Sequence, residues 1–115
     1  MPRGVVDLEG LKSPQAQALL GMAPPAGLPF NVRKLGHVVL KVKDLQRSVA
    51  FYTGVLGLRV SDVYPDTMMK GGMVFLRCNT DHHTLALLSS RAPGFHHASF
   101  QVGSVDEIAM GAVRM

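Results

Sequence analysis

Apolar and polar positions alternate most clearly in "KLGHVVLKV", residues 34–42. Val38, Leu40 and Val42 fall on one side, while Leu35, His37, Val39 and Lys41 fall on the other, mixed side. A period of two in β-branched residues predicts a half-buried strand. The period then changes. In "DLQRSVAFYTGVLG", 44–57, Leu45, Val49, Tyr52 and Leu56 recur at helical spacing, with Val55 at the stripe's edge. Asp44 is a suitable N-cap and Gly57 a suitable C-terminal residue, so a helix should lay that stripe on a sheet. Three further strands are predicted in "LRVSDVY" (58–64), "MVFLRCN" (73–79) and "HHTLALLS" (82–89). They are separated by the turn-like "PDTMMKGG" and "NTD". Met68, Met69 and Met73 read as filler or loop residues, or as adaptable pocket lining.

After the break "RAPG", the stretch "GFHHASFQV" (94–102) restarts the pattern. Aligning His97 with His37 brings Phe100 onto Leu40, Val102 onto Val42 and the cap Ser104 onto Asp44. A helix then resumes in "VDEIAMGAVRM", with Val105, Ile108 and Ala112 on one side. A strand–helix–three-strand unit of about sixty residues thus starts twice, and such repetition sets the architecture. The expected class is α+β: a βαβββ module over 33–90, then the first strand and helix of a second module over 94–115. Residues 1–32 read as a lead-in. "SPQAQALLG" carries a short helix capped by Ser13 with Pro14 at its first position, and 22–31 is a Pro-rich linker.

Strand alternation sorts the histidines. His96, Ala98, Phe100 and Val102 form the apolar side of the last strand and should meet the second helix. His97, Ser99 and Gln101 form its polar side. His37 likewise lies opposite the helix-covered face. His37 and His97 therefore share the side of the sheet turned away from the helices, and strictly alternating neighbours cannot both serve one site. For His83 the pattern does not choose, because both faces of "HHTLALL" are half apolar. Two imidazoles plus a carboxylate make the facial triad of non-haem Fe(II) oxygenases. A histidine taken singly reads more simply as a hydrogen-bonded polar residue near a core. Two at equivalent positions of a repeat bring the metal reading level with that one.

Composition narrows the setting. The chain has 115 residues, 47% hydrophobic and 17% charged, which suits one globular domain. The single Cys78 permits no internal disulfide or thiolate metal cluster and suits a reducing cytoplasm. The start "MPRGVVDLEG" lacks the apolar core of a secretory signal, and no apolar run is long enough to span a membrane. The net charge is +4, with a mild cluster in Arg33, Lys34, Lys41, Lys43 and Arg47. Nucleic-acid binding calls for a denser basic face with stacking aromatics, so that role is not expected.

The segments "LGHVVLKVKDLQRSVAFYTGVLGLRVSD", "FLRCNTDHHTLALL" and "FHHASFQVGSVDEI" together resemble the metal-binding half of type I extradiol ring-cleavage dioxygenases. These belong to the vicinal oxygen chelate superfamily, which also holds glyoxalase I and bleomycin-resistance proteins. The resemblance runs from about residue 34 to 109. The paired "DHHTLAL" and "FHHASFQV" point to the dioxygenase branch, while the rest carries only the superfamily. By that resemblance His37 and His97 are Fe(II) ligands and His83 is the active-site acid/base. His82 and His96 would be structural, on the opposite faces. The substrates implied are an aromatic diol and O₂. Leu85 and Leu87, on the His83 face by alternation, would line an aromatic-binding wall or simply pack.

The family's third ligand is a glutamate on a late strand of the second unit, and the sequence ends at Met115 before it. Asp106 and Glu107 open the second helix and Asp81 sits in a turn, so none substitutes. The expectation is a fragment, or a short form completed by another copy or another chain. Exposed strand edges and an uncovered apolar face would favour such association, including a homo-oligomer. Alone, the chain should bind Fe(II) weakly and turn over little. Two other functions belong to the superfamily: a glyoxalase-like isomerase using Zn²⁺ or Ni²⁺, and a metal-free ligand-binding module.

Overall fold

The computed structural model describes residues 8–114. The secretory-signal reading of the first ten residues falls mostly outside that range. A 3-10 turn, Gly10–Lys12, precedes helix α1, Pro14–Leu20, and both stand clear of the sheet. The Ser13 hydroxyl accepts the Ala16 N–H at 3.1 Å, as its capping position predicts. The remaining elements are β1 (Lys34–Val42), α2 (Leu45–Gly54), β2 (Arg59–Tyr64), β3 (Met73–Arg77), β4 (Leu85–Ser89), β5 (Gly94–Gln101) and α3 (Val105–Arg114). The architecture is α+β, a βαβββ module followed by one more strand and helix.

The five strands form one sheet in the order β2-β3-β4-β1-β5. The chain leaves β1, crosses through α2 and the β2–β3–β4 meander, and returns so that β4 lies parallel to β1. β5 adds antiparallel to the other edge of β1. The strand that carries His37 is thereby flanked by the chain around His83 and by the strand of His97.

Each face of the sheet has its own core. On one side Val74, Leu76, Leu85 and Leu87 are buried, and Leu40, Val42, Leu45, Val49, Tyr52 and Leu58 pack against them. This is the side covered by α2, whose first turn is fixed by the Asp44 carboxylate accepting the Arg47 N–H at 3.0 Å. On the other side Val39, Phe75 and Ala86 are buried, with Tyr64, Met73 and Leu88 against them. Met73 is thus core filler, whereas Met68 is exposed.

Four expectations are corrected. The helix stripe is shorter than its spacing suggests. α2 ends at Gly54, Gly57 turns the chain with φ 76°, and Val55 and Leu56 are exposed. α3 does not cover the last strand: Val105, Ile108 and Phe100 are all more than half exposed. Leu35 leaves the His37 side. It pairs with Phe100 while His37 pairs with Ser99, a bulge at Gly36 that reverses the alternation. A Cβ at Gly36 would stand 3.2 Å from the Ser99 carbonyl oxygen, so the close strand approach there favours glycine. Lastly, Leu85 and Leu87 face α2, because β4 begins only at Leu85 and His83 precedes it. Ala86 and Phe75 lie on the histidine side instead.

Candidate functional site

β1 presents His37 on the face opposite α2, two residues from the buried Val39. β5 pairs His97 with Val39 and Ser99 with His37, which puts both on that same face. The result is close convergence: His37 Nε2 lies 3.3 Å from His97 Nε2 and 3.2 Å from the Ser99 hydroxyl. His83 joins from the turn before β4, its ring centroid 4.7 Å from that of His37. The Thr84 N–H donates to Leu76 O and Thr84 O accepts from the Val38 N–H, so this turn is pinned to both neighbouring strands. Phe75 packs edge-on beneath His83 at 4.8 Å between centroids. Alternation alone thus placed His37 and His97 together, and the tertiary structure settles the side of His83.

The other two histidines do not lie on the opposite faces. In β5, His97 pairs with Val39 and Phe95 with Leu40, which leaves His96 as an extra residue. A bulge of this kind cancels the alternation and brings adjacent side chains together. The Nδ1 atoms of His96 and His97 are 2.7 Å apart. His82 likewise meets His83, Nδ1 to Nδ1, at 2.8 Å, and packs on Phe75. Its Nε2 stands 3.5 Å from the carboxylate of Asp62, an acidic residue that strand pattern alone did not single out. Asp62 reaches this face through an irregularity at Ser61: Val60 pairs with Leu76, but Asp62 pairs with Phe75.

Burial holds the His83 imidazole below its ordinary value near 6.5, helped by the positive charges of His37 and His82 when these are protonated. Neutral His83 has one nitrogen free to accept a proton. Lys34, Gly36, Asp81 and Gln101 complete a shallow recess around His37, His82 and His83. Lys34 and Asp81 are paired across it.

The pair His37–His97 suits a metal ion in part. Two nitrogens bound at about 2.1 Å and at right angles lie about 3 Å apart, close to the spacing found. A ligating imidazole also needs its other N–H held by a partner. His96 Nδ1 offers that acceptor to His97. Among the described residues, however, no three His, Cys, Asp or Glu side chains form a metal-sized group. Asp81 is paired with Lys34, and Glu107 accepts the Asn31 N–H at 2.7 Å, so neither is a third donor.

Residues 34–112 match the family described as the Glyoxalase/Bleomycin resistance protein/Dioxygenase superfamily. The chain belongs to that superfamily. It is 38% identical over 108 residues to metapyrocatechase 2 of Cupriavidus necator, covering 94% of this chain and 32% of that protein. Among solved structures it resembles the Mn(II)-bound glyoxalase from Novosphingobium aromaticivorans, with TM-score 0.65 and 37% identity over 80% of this chain and 29% of the other. It also resembles an extradiol ring-cleaving dioxygenase from Brevibacterium fuscum, with TM-score 0.62 and 26% identity over 80% of this chain and 25% of the other. The chain spans about a third of the length of metapyrocatechase 2 and of the biphenyl-2,3-diol 1,2-dioxygenases it also matches. Extradiol dioxygenases are thus among its relatives, and the βαβββ fold read from the sequence is theirs. No described helix is long and apolar enough to cross a membrane.

Proposed function

We propose that this chain carries two metal-binding imidazoles and the acid/base of an extradiol dioxygenase that cleaves a catechol-type diol with Fe(II) and O₂. The observation that carries the reading is the convergence on one face of His37, His97 and His83, at 3.3 Å between the first two and 4.7 Å between the rings of His37 and His83. His37 and His97 would hold the iron through Nε2. The bound metal would bring diol and O₂ side by side and lower the cost of ionising the diol. His83, neutral near pH 7, accepts a hydroxyl proton from the diol and later returns one, a task suited to an imidazole. The buried Phe75 supports its ring from below. The ring opens at the bond beside the diol and takes up both atoms of O₂, giving a hydroxy-semialdehyde or keto acid. The third ligand is a carboxylate from outside residues 8–114, supplied by further chain, a second copy or another chain.

The test is anaerobic Fe(II) loading of the protein, as this chain and as any longer reading frame that contains it, followed by a panel of catechols in air. The expected result is yellow ring-cleavage product from the form that completes the metal shell. His83→Ala should slow turnover while iron stays bound. An iron-loaded, complete protein that leaves every catechol untouched would overturn the reading. The glyoxalase relative supports a second reading, a Mn²⁺-, Zn²⁺- or Ni²⁺-dependent isomerase. Retention of one of those metals rather than iron, together with hemithioacetal turnover, would select it.

A further inference from the structure

We infer that Asp62 is a positioning residue which, acting through His82, fixes the proton of His83 on Nδ1 and leaves Nε2 as the basic nitrogen. This rests on the reading of His83 as the proton acceptor.

Three side chains, Asp62, His82 and His83, stand in a row. The Asp62 carboxylate can only accept, and its Oδ2 stands 3.5 Å from His82 Nε2, an ion-pair distance at which its negative charge favours the tautomer of neutral His82 that carries its hydrogen on that nitrogen. The other nitrogen of that ring, Nδ1, is then a lone pair. It lies 2.8 Å from His83 Nδ1. Two lone pairs cannot face each other at that distance, so one partner must donate, and only His83 is left to do so. A neutral imidazole that donates through Nδ1 has a bare Nε2.

The fold holds this order in place at both ends. The irregularity at Ser61 turns Asp62 onto the face of Phe75, when strict alternation from Val60 would have sent it toward α2. The Ser61 hydroxyl donates to Phe75 O at 3.2 Å at that point. Phe75 packs on both rings, 5.7 Å from His82 and 4.8 Å from His83. The other carboxylate beside the recess, Asp81, is paired with Lys34.

The tautomers can be read directly on the ¹⁵N-labelled 115-residue chain without metal, by long-range ¹H–¹⁵N correlation at about pH 8, above the reference value of a free imidazole. The expected result is an Nε2–H tautomer for His82 and an Nδ1–H tautomer for His83. In Asp62→Ala the His83 signals should shift toward Nε2–H, and Asp62→Glu should restore the wild-type pattern. An Nε2–H tautomer for His83 in the unmodified chain overturns the inference, and that spectrum needs no variant to fold. An unchanged His83 spectrum in a folded Asp62→Ala overturns it too. Turnover plays no part in these readouts. The dioxygenase reading can therefore fail on the catechol panel while the tautomer assignment stands, and the reverse.

Discussion

The two faces of this sheet are built from the same strands and share almost nothing chemically. Toward α2 lie Leu76 and Leu87, both fully buried, with Val74, Leu85 and the apolar stripe of the helix. On the opposite side, among the described residues, only Val39, Phe75 and Ala86 are buried, and around them stand His37, His82, His83, His97 and Asp62. One side supplies apolar burial at roughly 25 cal/mol per Å² removed from water. The other keeps polar groups accessible enough to exchange protons and ligands. A period of two lets one stretch of chain serve both needs without compromise, because a residue's neighbour always belongs to the other task. The exceptions are the bulges: those at His96 and Ser61 add a group to the histidine side, and the one at Gly36 takes Leu35 away from it.

Substitutions can break this division, and the largest effect is expected on the α2 side. Leu76→Ala should cost about 3 kcal/mol through lost burial and the cavity left behind. Urea unfolding would measure it, and anaerobic calorimetry of the variant, kept below its midpoint, should show Fe(II) affinity unchanged. A fall in affinity matching the fall in stability would mean that the faces are not separable. The reciprocal change comes next. His37→Ala or His97→Ala should shift stability by less than about 1 kcal/mol, because surface and half-exposed polar positions contribute little. Either should weaken Fe(II) binding by tenfold or more. Retained Fe(II) binding in both variants would remove the metal role from this side.

The smallest expected effect is a dependence on pH. His83 binds its proton less readily in the folded chain than in the unfolded one, where its value is near 6.5, because burial and then His37 and His82 oppose the charge. Between those two values the unfolded chain holds more protons, so stability falls as the pH drops through that window and levels off below it. Above about 6.5 this residue adds no slope. Urea midpoints between about pH 5 and 8 should therefore be shallower with pH in His83→Gln than in the parent. A parallel pair of curves would show that His83 is no harder to protonate when folded.

Sequence pattern carried most of the fold and part of the site. The switch from period two to period 3.6 at Asp44 marked β1 and α2, and the match between 37–44 and 97–104 marked β5 and α3 as a second start. It also set His37 and His97 on one face, since both strands keep their alternation between the histidine and its paired neighbour. Three things were not legible, for one physical reason: they depend on which strand lies alongside. The extra residue His96 exists only relative to β1, and the turn-over of Asp62 only relative to β3. The side taken by His83 follows from the anchoring of Thr84 to Leu76 and Val38, which no local spacing announces. Counting in twos from His83 assigns Leu85 and Leu87 to its face only by crossing a position that is not yet strand.

The bulge at His96 gives β5 one residue more there than the stretch of β1 it faces, so length matters in this part of the chain as well as residue identity. Among the described residues β5 is an outer strand whose paired neighbour is β1, so no described strand on its far side resists a slip. Deleting His96 would restore regular pleating with His97 still opposite Val39 and Phe95 still opposite Leu40, whereas deleting Ala98, where the pairing is regular, would turn one side of the strand over. A deletion at Ala98 would thus part His97 from the Ser99 side, which conservative replacements nearby would leave intact.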